Sequence, residues 1–233
     1  MTVNRNNISS LKREDKLFIM AADYNLICRP GSVDAVDRIK QLADDNFDWD
    51  YMIRLARYHD SSAYLYPLFR DNDALELIPE RVLSILSGEY DMAQARFLKK
   101  EMELVEIIKS LKENSIDPIA FKGVTLSKLI YRDPGVRVSR DSDILVHPSE
   151  VDRARGVLEK KGYDIFSGSS SEDNYREHHF HYIFTRGENM DSVVELHWSL
   201  VYPHDGHEMP RSELEKEAVE VEIMDYPVNT FSP

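Results

Sequence analysis

The spacing of apolar residues changes character once along this chain, near residue 115. Before that point apolar positions recur every three or four residues, the period of helices that bury one face. Leu11, Leu17, Phe18 and Ile19 begin such a face. Val33, Val36, Ile39, Leu42 and Ala43 continue it, with Ser32 placed as an N-cap. Trp49, Ile53, Ala56 and Arg57 predict a third helix, and Tyr64, Leu65, Leu68 and Phe69 a fourth. Pro79 suits the first turn of a long helix that carries Val82, Leu86, Phe97, Leu104, Ile108 and Leu111. That helix reaches roughly 50 Å at 1.5 Å per residue. Asn114, Ser115, Asp117 and Pro118 then stop it.

After Ile119 the pattern becomes short strands alternating with helices. Ile119–Phe121 is apolar, and Leu126, Leu129 and Ile130 return to helical spacing. Ile144–Val146 is the next apolar run. Residues 152–161 predict a helix that ends at Gly162 as a C-cap. Strands follow at 163–166, 180–185 and 192–196, with a serine-rich loop at 167–171. Val219–Met224 alternates as an edge strand or hairpin arm, and residues 229–233 show no closing element. The expected fold class is α+β. A helical region over 1–115 packs on a second domain over 116–233, a mixed sheet with flanking helices.

Chemistry concentrates in the stretch from Pro118 to Val146. Asp141 and Asp143 are two apart on a predicted strand, so both carboxylates point the same way. Such a pair repels itself unless a cation lies between, and an all-oxygen donor set suits Mg²⁺ or Mn²⁺ better than zinc. Lys122-Gly123 stands at a strand-to-helix turn. There glycine lets the backbone approach a phosphate and the first helical N–H groups face it. Lys122 or Arg137 would neutralise phosphate charge, and Thr125 and Ser127 would add hydroxyl donors. With no metal bound, Lys122 is expected to pair with Asp141.

The net charge of −13 argues against a partner held by long nucleic acid backbone. Cys28 is the sole cysteine among 233 residues, so no intrachain disulfide forms, which fits a reducing cytoplasm. The N-terminal residues lack the apolar core of a signal peptide, and no run of about 18 apolar residues is available to span a membrane.

The order strand, Lys-Gly turn, helix, Arg, Asp-x-Asp strand resembles the DNA polymerase β-like nucleotidyltransferase superfamily. It is most similar to the superfamily's bacterial branch of uncharacterised nucleotidyltransferases. In that branch Lys-Gly replaces the usual Gly-Gly or Gly-Ser, an Arg precedes the first Asp by four residues, and an acidic residue precedes His-Trp on a later strand. Here those positions are Lys122-Gly123, Arg137 and Glu195 before His197-Trp198. The resemblance covers roughly residues 115–200. Ser142 departs from it, since the residue between the aspartates is usually apolar.

The resemblance implies a polymerase β-like sheet and a metal-dependent transfer of NMP from an NTP, ATP first, to a small-molecule or protein acceptor. It implies Asp141, Asp143 and Glu195 as the metal-binding and catalytic carboxylates, with Mg²⁺ or Mn²⁺ as cofactor. It also implies that the chain continues beyond residue 233 into further helices. The alternative is a nucleotide- or partner-binding module that keeps the fold without turnover. A third reading, a metal-dependent phosphohydrolase, needs His178, His179 or His181 to meet Asp141 on a metal. His179, His181 and His197 are expected to line the acceptor pocket or to support the carboxylates, with zinc bound by these histidines as a minor option. His204 and His207 are expected in an exposed turn, and Trp198 in the core or as a base-stacking surface.

Overall fold

The computed structural model describes residues 10–26, 35–137, 139–166, 175–176, 178–188, 190–202 and 211–233. Ser32, Cys28, the 167–171 loop, His204 and His207 lie outside the described residues. The chain divides into two units: Met1–Phe97 with Ile130–Val138, and Leu98–Leu129 with Ser139–Pro233.

The first unit is helical, as the period-3.6 pattern predicts. It holds α1 (Arg13–Tyr24), α2 (Ala35–Leu42), α3 (Trp49–Tyr58), α4 (Leu65–Arg70) and the start of α5 (Glu80–Glu113). Leu17, Ile39, Met52, Leu65, Leu68, Phe69 and Leu86 are fully buried together, each side chain stabilising the fold by about 1.5–3 kcal/mol. Asp48 caps α3 by accepting from the Tyr51 N–H at 2.8 Å. The Pro79 carbonyl accepts from the Val82 and Leu83 N–H groups, so the proline stands one residue ahead of α5. The segment Ile130–Val138 is held in this unit by Asp133, which accepts from Tyr90 Oη at 2.5 Å and Gln94 Nε2 at 2.7 Å.

The second unit takes over α5 from Leu98 onward, so the division falls inside that helix and not at its end near residue 115. A charged cluster marks the change. Glu103, 5% exposed, accepts from Lys100 Nζ (3.1 Å), Tyr163 Oη (3.0 Å) and Arg186 Nη2 (3.3 Å). Serine 115, in the left-handed region at φ 58°, ends α5, and the Ile116 N–H returns to the Leu111 carbonyl.

The remaining elements are β1 (Ile119–Phe121), α6 (Gly123–Ile130), β2 (Asp141–Leu145), α7 (Val151–Lys160), β3 (Asp164–Ile165), β4 (His181–Arg186), β5 (Ser192–His197), α8 (Arg211–Lys216), β6 (Ala218–Ile223) and β7 (Tyr226–Phe231). Five strands form one mixed sheet in the order β1-β2-β5-β4-β3. Strands β2 and β5 are parallel, and the other neighbours are antiparallel. The fold class is thus α+β. Gly162, at φ 81°, closes α7 as expected.

The expectation of no closing element at the C-terminal end is overturned. Residues 226–231 form β7, paired with β6 in a hairpin. Met224 and Asp225 both have positive φ, 50° and 59°, which is the two-residue turn that matches strand twist. No glycine marks this turn, and Pro227 obscures the strand that follows it.

Candidate active site

The site begins where β1 gives way to α6. Lys122 and Gly123 both adopt positive φ, 58° and 39°. A Cβ on Gly123 would lie 3.0 Å from Ser139 Oγ and 3.4 Å from the Asp141 carbonyl, so glycine is needed for both space and backbone angle. Lysine bears the left-handed strain beside it, and its Nζ reaches Asp143 Oδ1 at 2.7 Å. The ion pair expected with Asp141 is therefore made with Asp143. The two carboxylates share a strand face, but Asp143 is 3% exposed while Asp141 is half-buried nearer the strand's start.

Strand register brings the acidic groups together. Asp143 lies opposite Phe121 on one side and Glu195 on the other, and Glu195 lies opposite Ile183. Side chains directly opposite on paired strands share a face. Asp141, Asp143, Glu195 and His197 thus look out from the same side of the sheet. His197, 1% exposed, places Nε2 at 3.1 Å from Asp143 Oδ1 and 3.2 Å from Glu195 Oε2. One nitrogen therefore bridges two carboxylates on adjacent strands. The rings of Phe121 (4.9 Å), His181 (4.9 Å) and Phe180 (5.6 Å) surround the imidazole.

Electrostatics follow this geometry. Burial raises the Asp143 carboxyl, but the His197 and Lys122 hydrogen bonds outweigh it and hold the group below its ordinary value. Burial lowers His197, and its bonds to Asp143 and Glu195 reverse that and push it up. His181 is pushed down by burial and by the neighbouring His197.

The expected phosphate donors divide. Gly123 opens α6. The Thr125 hydroxyl is buried and donates to the Lys122 carbonyl at 3.0 Å, while accepting from Thr230 Oγ1 at 2.9 Å. The buried Ser127 hydroxyl donates to the Gly123 carbonyl at 2.9 Å. Both hydroxyls are turned into the fold, as Ser and Thr in helices often are, and neither offers a proton to a phosphate. Arg137 belongs to the first unit, where it follows the short helical turn Pro134–Val136 and its charge acts on Tyr64.

Among the histidines, His181, Glu195 and His197 place one donor atom each within 4.8 Å of one another. His179 stacks on Tyr175 at 4.0 Å, outside this group, and His178 is exposed. Trp198 packs edge-on against Tyr182 at 4.9 Å, not over the carboxylates. Ser142 is 4% exposed on the reverse face of β2, and its hydroxyl has no hydrogen-bond partner among the described residues. His197 is expected from sequence at the acceptor pocket or in support of the carboxylates, and here its Nε2 contacts both Asp143 and Glu195. The Glu-x-His spacing on a strand puts both side chains on one face.

The donor chemistry fits a hard divalent cation: Asp143 and Glu195 converge closely enough to share a single hydrogen-bond donor, with Asp141 on the same strand face. No curated protein matches this chain. The lincomycin-bound crystal structure of the lincosamide antibiotic adenylyltransferase LnuA is similar over 56% of this chain and 79% of its own, at 15% identity and a TM-score of 0.41. A family model described as an uncharacterised nucleotidyltransferase matches residues 45–233, and the chain belongs to that family.

Proposed function

We propose that this protein transfers a nucleoside monophosphate from a nucleoside triphosphate, ATP first, to a small-molecule or protein acceptor and releases pyrophosphate. The observation that carries this reading is the row Phe121–Asp143–Glu195, with Lys122-Gly123 at its edge opening α6. Asp141, Asp143 and Glu195 would hold Mg²⁺ or Mn²⁺. When bound, such an ion neutralises triphosphate charge and makes an acceptor hydroxyl or amine more acidic. The residues of the chain supply the rest. Lys122, poised on Asp143, exchanges that partner for the β- or γ-phosphate and offsets charge on the leaving pyrophosphate. The α6 N-terminus adds backbone dipole to the same side. His197 keeps Asp143 and Glu195 aligned and, through the pair, keeps Glu195 able to accept the acceptor's proton.

The acceptor side lies toward Tyr175, His179 and Tyr202. His179 stacks on Tyr175 at 4.0 Å there and lies 6.4 Å from the Tyr202 ring. With a single cysteine and no described helix long and apolar enough to cross a membrane, we place the protein in the cytoplasm.

Incubation with each α-labelled NTP, Mg²⁺ and a cell extract tests the reading. The expected result is label on one acceptor together with released pyrophosphate, both lost in Asp143→Asn and Glu195→Gln. Nucleotide binding without pyrophosphate release in any extract would favour the non-catalytic module instead. Equal labelling by both variants would remove the carboxylates from the chemistry.

A further inference from the structure

The transfer chemistry leaves one imidazole of the site face without a task, and half of another. His181 lies directly opposite His197 on the antiparallel pair β4–β5, and Glu195 precedes His197 by two residues on the same face. The three therefore project from rigid, hydrogen-bonded strands and not from loops. A donor atom from each lies within 4.8 Å of the other two, and the His197 Nε2 to Glu195 Oε2 distance is already 3.2 Å. Ligands about 2.0–2.1 Å from a tetrahedral ion stand roughly 3.4 Å apart, so a small side-chain adjustment of His181 completes a set.

A further observation points to a ligand. The Nδ1 of His181 is buried and has no hydrogen-bond partner among the described residues. Buried ring nitrogens normally find partners, and those that do not call for an explanation such as an ion.

We propose that His181, Glu195 and His197 form a site for a nitrogen-preferring divalent cation of the zinc class. Two imidazoles and one carboxylate are a zinc donor set that leaves a fourth position open, whereas Mg²⁺ selects oxygen alone. Asp143, 3.1 Å from His197 Nε2, stands ready as a fourth ligand. Glu195 belongs to both donor sets, so the zinc-class ion and the Mg²⁺ of the transfer reaction exclude each other. The site itself does not depend on the nucleotidyl-transfer reading; only its consequence, inhibition of transfer by zinc, rests on that reading.

Cobalt(II) is the probe, since its visible bands report nitrogen ligation where zinc is silent. The full chain is stripped of metal and titrated with Co²⁺, then with Zn²⁺. The expected result is one saturating equivalent of Co²⁺ per chain, with visible bands that equimolar Zn²⁺ abolishes and equimolar Mg²⁺ does not. His181→Gln, at a half-buried position, is expected to weaken Co²⁺ binding at least ~10–100-fold, the range already seen when groups merely supporting a ligand are lost. Asp141→Asn is expected to leave the titration unchanged. Absence of saturable Co²⁺ binding, or binding unaltered in a folded His181→Gln chain, would overturn the proposal. So would binding lost in Asp141→Asn, because the ion would then sit in the aspartate pair. A saturating, His181-dependent titration in a chain that releases no pyrophosphate would uphold the cation site and reject the transfer reading alone.

Discussion

Lys122 is where stability and function are set against each other most directly. Its φ of 58° costs an L-residue about 1–2 kcal/mol relative to glycine. In return Nζ pairs with the buried Asp143 carboxylate at 2.7 Å. The lysine side chain is 56% exposed, so solvent screens the pair and its worth falls to about 1 kcal/mol. Two substitutions separate these contributions. Lys122→Ala keeps the strain and loses the pair, and is expected to lower stability by about 1 kcal/mol. Lys122→Gly loses the pair but also the strain, and is expected to be as stable as the wild type or up to about 1 kcal/mol more so. The variants then differ by about 1–2 kcal/mol, or roughly 2–8 °C in Tm for a chain of this size. Both should lose much of the stabilisation that Mg²⁺-NTP is expected to give the wild type, because neither retains the lysine ammonium that Asp143 holds at the turn. Thermal melts of the three proteins with and without Mg²⁺-ATP measure all of this. An alanine variant as stable as the glycine variant would show that the turn is unstrained. A full nucleotide-induced shift in both would show that Lys122 does not meet the triphosphate.

Glu103 makes the stability of the second unit pH-dependent. Burial would raise its carboxyl, but hydrogen bonds from Ser192, Lys100 and Tyr163 and the Lys100 charge hold it below the ordinary value. A depressed carboxyl contributes stability above its unfolded pKa, about 4.3, and loses it as pH falls through the folded value. Glu103→Gln is expected to cost about 1.5–3 kcal/mol near pH 7, with the gap to wild type closing below about pH 4; a gap constant across a pH series of urea melts would contradict this. Ser142→Ala removes a buried hydroxyl that has no partner, and is expected to raise stability by about 1 kcal/mol without changing the Mg²⁺-NTP effect. A destabilised Ser142→Ala chain in the same melts would mean that the hydroxyl is satisfied in solution.

What could be read in advance was local. The Asp-x-Asp spacing, the Lys-Gly turn and the Glu-x-His pair each fix which side chains share a face, because strand periodicity is a property of neighbouring residues. What escaped was set by contacts remote in sequence. Lys122 chooses Asp143 over Asp141 because the Phe121–Asp143 register puts that carboxylate beside the turn. The hydroxyls of Thr125 and Ser127 face the fold because α6 begins at Gly123, which aims them at carbonyls three and four residues back. Nothing in the local pattern singles out Lys100 and Glu103, because the Tyr163 and Arg186 side chains that bind Glu103 come from 60 and 83 residues away.

The same distinction explains why the carboxylates meet at all. Asp143 and Glu195 become neighbours only because β2 and β5 pair in parallel with these residues in register. The acidic groups cannot hold that register themselves, since like charges placed opposite repel. The reverse face holds it: Ile144, Val194, Leu196 and Phe184 are completely buried there. A slip of one residue in β5 would bury Glu195 and expose Val194 and Leu196, an exchange the apolar core forbids. The repulsion left on the front face is met by Lys122 and His197, each bound to Asp143. The hydrophobic side of the sheet thus enforces a charge cluster on the other, and a bound cation would relieve its repulsion.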